Sequence, residues 1–538
     1  MNLKRTWLVV PAALALALSA CSGGGSGQSG AASGATGGDN YITANGSEPQ
    51  NPLIPANTNE TGGGHIVDII NSMLVSYKAD GTVQNELAES IESDDSQNWT
   101  VKIKPGLKFS DGTEIKAKNF IEAWKLATNP DAPMNNVNFF NDIEGTDEEG
   151  VGELTGVAEV DDHTFTIKLK TPAADFASRL GYSAYAPLAD AALADMEKAG
   201  ETPIASGPYM LAENGWEHNV KATLVPNPNY EGPRKAKNDG IQFIFYAQLD
   251  AAYSDLLAGN LDVLASIPDS AFSTYQDELG ERAVNQPAAV FQSFTIPEKM
   301  EHFGDDEEGQ LRRQAISLAV NREEVTDKIF LGTRVPAKDF TSTVVDGYDA
   351  NIPGNEVLNY DPEKAKELWK QADAIKPFTG SFQIAYNSDG GHQAWVDATA
   401  NSIKNALGID ASGAPYPDFK SLRDEVTNRT IKTAFRTGWQ GDYPAMYNFL
   451  SPIYGTGAGS NDGDYSNPEF DKLLKDAMAA KTPEESNKLL IQAQEILFKD
   501  LPAIPLWYSN AVGGYSEAVS NVTFNWKSVA EFQDITKS

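Results

Sequence analysis

A mixed α/β fold of about three lobes is predicted by the length of the chain and by two kinds of local pattern. The 538 residues correspond to about three domains at roughly 150 residues each. The segments WTVKIK at 99–104 and FTIKLK at 165–170 alternate apolar and polar side chains, as half-buried strands do. Asp361-Pro362-Glu363 supplies an N-cap, a first-turn proline and an early acid ahead of Ala365 and Leu368, which opens an amphipathic helix. Strand and helix signals interleave along the chain without the strict rhythm of one doubly wound sheet.

In chain order, the first twenty residues read as an address rather than as fold. Lys4 and Arg5 precede a largely apolar run at 7–20, too short for a typical membrane span of about 20 residues and typical of a signal peptide (1–20). The run ends Leu18-Ser19-Ala20-Cys21, which resembles the bacterial lipobox, and Cys21 is the only cysteine of the chain. The expectation is a lipidated Cys21; the alternative is an ordinary secreted protein with a stray cysteine. Residues 21–38 then form an uncharged Gly/Ser tether with a reach of about 20–25 Å.

The body mixes further signals. IQFIFY at 241–246 reads as a more buried strand, and helices are expected over 310–318, 395–407, 468–479 and 483–499. Turns are marked by Asp111-Gly112, Asn227-Pro228, Asp389-Gly390-Gly391 and Asp462-Gly463. No fixed-period repeat and no conspicuous linker follow the tether, which favours lobes joined by more than one chain crossing.

Composition narrows the function. The net charge of −33 opposes binding to phosphate backbones, so no nucleic-acid partner is expected. A lone cysteine excludes an internal disulfide. No P-loop, H-E-x-x-H or G-x-S-x-G motif occurs, and the five histidines lie far apart in the sequence. The acid-rich stretches 142–153 and 305–308 lack calcium-loop spacing and read as solvated turns. No catalytic residue, metal or cofactor is expected.

Glu86 to Trp124 carries a more specific signal. Trp99-Thr100 leads into Lys104-Pro105-Gly106-Leu107-Lys108-Phe109-Ser110-Asp111-Gly112-Thr113, then Phe120 and Trp124. Physically this is an alternating strand, a Pro-Gly turn, a second short strand, an Asp-Gly turn and an amphipathic helix. The block resembles the signature of the extracellular solute-binding proteins of peptide ABC transporters, family 5. Further blocks follow in that family's order: Pro203 to Tyr209, Pro226 to Tyr230, Gly259 to Val263, Arg312 to Ile316 ending Asn321-Arg322-Glu323 (with Asn for the usual Asp), Tyr465 to Asp471, and Ile504 to Tyr508.

The resemblance implies a two-lobed periplasmic-binding-protein clamshell of type II-like design with an extra domain. Its domain I would be discontinuous, at 39–58, 188–290 and 508–538; domain II would be 59–187 and domain III 291–507. It also implies a monomeric, non-enzymatic lipoprotein on the extracytoplasmic face of the cell membrane, held by its lipid anchor only. Such a protein captures oligopeptides and delivers them to ABC-transporter permease subunits. The alternative is the same fold and transport role for a non-peptide solute such as an oligosaccharide.

Within Arg436-Thr437-Gly438-Trp439-Gln440-Gly441-Asp442-Tyr443, the resemblance places Asp442 opposite a peptide's α-ammonium. A buried amine needs such a charge partner. Alone, Asp442-Tyr443-Pro444 also reads as a turn; the flanking Arg436, Gly438 and Trp439 favour the site. Arg436 matches a position that receives a short peptide's carboxylate in some relatives, with a structural ion pair as the rival. The backbone of Gly438 to Gln440 would pair with an extended peptide. Trp439 would line a side-chain pocket or belong to the core. Ser47, in the segment 45–49, would flank the ligand from the other side. After Pro444, the family's common Asp-Pro is replaced by Ala445-Met446.

Overall fold

The computed structural model describes residues 40–388, 391–417 and 419–538. The expected signal peptide, Cys21, the tether and part of the turn at 389–391 lie outside the described residues. The strands are β1 (Ile42–Gly46), β2 (Val75–Tyr77), β3 (Val83–Asn85), β4 (Ala88–Glu92), β5 (Asn98–Ile103), β6 (Val157–Asp161), β7 (Thr164–Lys168), β8 (Tyr209–Glu217) and β9 (Lys221–Pro226). They continue as β10 (Ile241–Phe245), β11 (Val263–Leu264), β12 (Ala283–Thr295), β13 (Arg334–Pro336), β14 (Ser381–Asn387), β15 (Asp410–Tyr416), β16 (Ala434–Gln440) and β17 (Ala503–Tyr515).

Eleven of these strands form one mixed sheet in the order β15-β14-β16-β12-β17-β11-β1-β10-β9-β8, with β13 pairing β17 beside that path. The long strands β12 and β17 pair from end to end except at Ala288 and Ala289. The C-terminal half of β12 carries β16, and the C-terminal end of β17 carries β11 and through it β1. A separate antiparallel sheet has the order β4-β5-β7-β6, and β2 with β3 makes a hairpin. This mixed α/β architecture agrees with the clamshell class.

The signature block is a packing unit. Phe109, Phe120, Trp124 and Phe165 are fully enclosed, and Trp99 is nearly so. The Trp124 ring lies edge-on to Phe165 and Tyr185, with centroids at 5.7 and 5.4 Å, and its indole N–H donates to Tyr185 O at 3.1 Å. A buried indole requires such a partner. The expected second strand of this block is reduced to a single bridge between Lys108 and Glu114. The turn at Asp111-Gly112 is closed by Asp111, which accepts from Thr113 N and Oγ1, and the Phe109 N–Thr113 O and Ile115 N–Leu107 O bonds flank the bridge. β10 was expected to be more buried than it is: its burial alternates, because only one face meets the core.

The expected helices form as Glu307–Ala319, Pro362–Ile375, Gln393–Leu407, Pro468–Met478 and Pro483–Asp500. Asp361 caps Lys364 N at 2.9 Å, as its position ahead of Pro362 implies. The Arg312–Arg322 block acts through buried guanidinium groups. Arg313 donates to Phe303 O, Ile296 O and Leu501 O, and Arg322 to Pro505 O, Ser317 O and Leu358 O. These bonds tie the helix Glu307–Ala319 to the end of β12 and the start of β17. Asn321, the departure from the family's Asp, still caps the following helix by accepting from Glu324 N at 3.2 Å.

Arg313→Met would leave buried carbonyls without donors, each at a cost of about 1–3 kcal/mol. Urea unfolding should show a loss of roughly 3–5 kcal/mol. Lys328→Ala, in an exposed pair with Asp327, should stay within about 0.5 kcal/mol; equal losses would remove the anchoring role from Arg313.

Candidate ligand-binding site

The neighbours of β16 are unequal. β12 pairs with it from Phe435 to Gln440, whereas β14 pairs only at Ala434 and Phe435. From Thr437 onward the edge away from β12 has no ladder partner among the described residues. Just beyond the strand, Gly441 N donates to Ala289 O at 2.9 Å. Carrying the antiparallel register back from that bond turns the backbone groups of Thr437 and Trp439 toward β12. Those of Gly438 and Gln440 then face the open side. At Gly438 a Cβ would sit 3.1 Å from Phe291 O, so glycine keeps this stretch narrow.

Ala288 and Ala289 have no partner in β17, because the register jumps between Pro287 and Val290. Three of their backbone groups find partners elsewhere. Ser342 Oγ donates to Ala288 O, Gly441 N to Ala289 O, and Ala289 N to Trp526 O, at 2.9, 2.9 and 2.8 Å. A bulge of this kind re-aims what is attached to it. Here it fixes the residues immediately before Asp442 and Lys527.

Asn448 completes the local frame. It is 4% exposed and sits in the helix Met446–Tyr454. Its Oδ1 accepts from Asp442 N at 2.9 Å and from Trp439 Nε1 at 3.2 Å, while its Nδ2 donates to Asp442 Oδ2 at 3.0 Å. One amide therefore orients both the carboxylate and the indole. Burial raises the Asp442 carboxyl above its ordinary pKa; the Asn448 bond and the field of Lys527 pull it back down.

Asp442 and Gln440 line a cleft of about 780 Å³ with Glu60, His65, Asp68, Tyr182 and Lys527. Lys527 Nζ is 3.7 Å from Asp68 Oδ2 and lies over the Tyr182 ring at 5.2 Å. Burial lowers the His65 pKa despite the neighbouring Asp68, so that imidazole is neutral at pH 7. Three carboxylates against one ammonium leave the cleft net negative. It suits a cationic group and repels an anionic one.

Arg436, Gly438 and Trp439 line a different cavity, of about 850 Å³, with Arg423, Tyr454 and Asp462. Arg436 Nε donates to Asn387 Oδ1 at 2.8 Å. Trp439 serves both expectations: it is half-buried against the core and also lines this cavity. The two cavities lie along the same strand, so the expected site residues fall into two groups. Ser47 lines neither; it packs against the first turn of the helix Thr61–Ile70, where a Cβ on Gly62 would meet Ser47 Oγ at 2.6 Å. Asn448, Asp68, His65 and Lys527 were not anticipated. Among the described residues no group of three or more His, Cys, Asp or Glu could hold a metal ion, and no helix is long and apolar enough to cross a membrane.

The sequence profile of bacterial extracellular solute-binding proteins, family 5 Middle, matches residues 82–461. The oligopeptide-binding protein OppA of Bacillus subtilis (strain 168) is 25% identical over 533 residues, covering 94% of each chain. The periplasmic oligopeptide-binding protein OppA of Escherichia coli (strain K12) is 26% identical over 475 residues, covering 84% of each. Among solved structures, the Escherichia coli murein tripeptide-binding protein MppA in its unliganded open form superposes with a TM-score of 0.81 at 22% identity. That match covers 92% of this chain and 97% of MppA, and the likeness is one of fold.

The raised Asp442 pKa has a consequence for stability. A carboxyl whose folded pKa lies above its unfolded value binds its proton more tightly when folded. Stability is then lost as pH rises from the ordinary carboxylate range through the folded value. Asp442→Asn should therefore raise the melting temperature of the ligand-free protein at pH 7, and the gain should vanish below about pH 4. A gain independent of pH would show that the Asp442 charge is not what costs stability.

Proposed function

Because the chain belongs to the bacterial extracellular solute-binding proteins of family 5, we propose that it is a non-catalytic receptor for oligopeptides, which it delivers to the permease of an ABC transporter. The observation that carries this reading is a half-buried carboxylate, Asp442, at the end of a strand edge left open from Gly438 to Gln440. An extended peptide added to that edge would be held by main-chain bonds whatever its sequence. Its α-ammonium would meet Asp442 in the negative cleft, a charge-assisted bond of about 1.5–3 kcal/mol. The oligopeptide-binding names of the two OppA relatives support the same ligand class.

Arg436, further back along the strand, takes the role of receiving a carboxylate of a short ligand, and the cavity around Trp439 takes a side chain. The division into domain I (39–58, 188–290, 508–538), domain II (59–187) and domain III (291–507) belongs to this reading. It makes β12 and β17 the strands on which the lobes move. Ligand would drive closure only through a higher affinity for the closed state. The receptor acts as a monomer on the extracytoplasmic face, with Cys21 as its lipid anchor.

Asp442→Asn should abolish binding of free-amine peptides in titration calorimetry while the protein still unfolds cooperatively. Unchanged affinity would remove Asp442 from the site. Cys21→Ser should move the protein from the membrane fraction to the soluble fraction of expressing bacteria. Retention in the membrane fraction would rule out the anchor.

A further inference from the structure

Asp442 and Asn448 stand at the two ends of a short connection between β16 and the helix Met446–Tyr454. Its packing decides how the carboxylate meets the cleft. Tyr443 directly follows Asp442, and Tyr447 directly precedes Asn448. Both rings lie against the Arg179 guanidinium, with centroids at 5.5 and 5.7 Å. Arg179 is itself held, donating from Nε to Asp175 Oδ1 at 3.0 Å and from its terminal nitrogens to Asp142 and Asp175. The connection is therefore clamped from behind by one planar cation between two rings.

The amide of Asn448 cannot be turned over. Its Oδ1 accepts from two donors, Asp442 N and Trp439 Nε1. A flipped amide would set its NH2 group against both of those N–H groups. Nδ2 is thereby directed at Asp442 Oδ2, 3.0 Å away. A donor in that place favours the ionised carboxylate. It also separates the two oxygens. Oδ2 is taken. Oδ1 accepts no hydrogen bond from the described residues, yet it is not enclosed, and it opens on the cleft.

The other groups around Asp442 do not duplicate this bond. Lys527 acts on it through its field, and its Nζ stands beside Asp68. Both oxygens of Glu60 accept from Gly63 N at 3.0 Å. His65 is neutral at pH 7, and burial pushes the Tyr77 and Tyr182 hydroxyls up, so they carry no charge.

We propose that Asn448 is the positioning residue of amine capture: it occupies Oδ2, keeps Asp442 an anion, and leaves Oδ1 as the acceptor for an N–H of the ligand's ammonium. The inference rests on the peptide reading above. It adds which oxygen binds the ligand and which residue extends capture into mildly acidic solution.

Titration calorimetry with trialanine, tetra-alanine and penta-alanine between pH 4 and pH 7 tests the assignment. The peptide ammonium stays protonated across this range, so the low-pH limb of the affinity reports the carboxylate. Asn448→Asp keeps an acceptor for both N–H groups and replaces the donor by a second carboxyl, so that the pair shares a proton. Between pH 7 and pH 5 its affinity should fall about fivefold or more beyond the wild-type change. Asn448→Leu, which removes the donor without adding a charge, should move the limb in the same direction. Cooperative melting at pH 7 checks that each variant is folded. A loss equal at every pH, with the limb unmoved, would make Asn448 a packing residue and overturn the proposal while leaving peptide capture in place. Failure of the wild type to bind any of the three peptides would instead overturn the peptide reading, and this assignment with it.

Discussion

The pairing of β12 with β17 runs from Ala283–Gly514 to Thr295–Ala503, and its largest interruption is at Ala288 and Ala289. Three of the backbone groups released by that interruption are used again. One goes to Ser342, one to Gly441 and one to Trp526. Buried backbone groups must find partners, so the bulge cannot exist without drawing these three segments to one point. The cleft is a consequence. Asp442 follows Gly441, Lys527 follows Trp526, and both face the same space.

The same ladder explains how distant parts of the sequence cooperate. β16, the open-edged strand, hangs from one half of β12, while β1 reaches β17 through β11. Arg313 and Arg322 lock the helices of 307–328 onto the strand ends near Ile296 and Pro505. A frame locked on both sides of the β12–β17 ladder fits the hinge closure proposed above. Asp442 is expensive within this frame, since burial opposes its charge. Asn448 and Lys527 offset part of that cost, and a bound ammonium would offset more. Such a cost fits the binding role proposed for Asp442, since stability given up is the usual trade at a functional site.

Much of the fold was legible because its signals are local. The alternation of 99–104, the cap at Asp361 and the helices after Pro468 and Pro483 depend on neighbours in sequence. The resemblance of 86–124 and of the later blocks carried the clamshell class, and the structure shows what those side chains do: Phe120 and Trp124 fill a core, and Arg313 satisfies carbonyls. The cleft was only partly legible. Asp442 and Gln440 sit in a recognisable stretch, but Asp68 and Lys527 meet them across 374 and 85 residues of chain. No local pattern marks such meetings. Asn448 lies six residues beyond Asp442, yet an asparagine in a helix announces nothing about the carboxylate it holds. The split of Arg436 and Asp442 into separate cavities follows from strand geometry, which a motif does not display.

The central claim is capture of peptides through their free amine. It is tested most directly with the soluble body from Asp39 onward, stripped of ligand, by melting it alone and with three pools: mixed peptides, the same peptides N-acetylated, and oligosaccharides. A ligand that binds only the native state raises the melting temperature. The account predicts a rise with free peptides that is lost on acetylation. A rise with oligosaccharides alone would contradict it, leaving the fold in place and replacing the ligand.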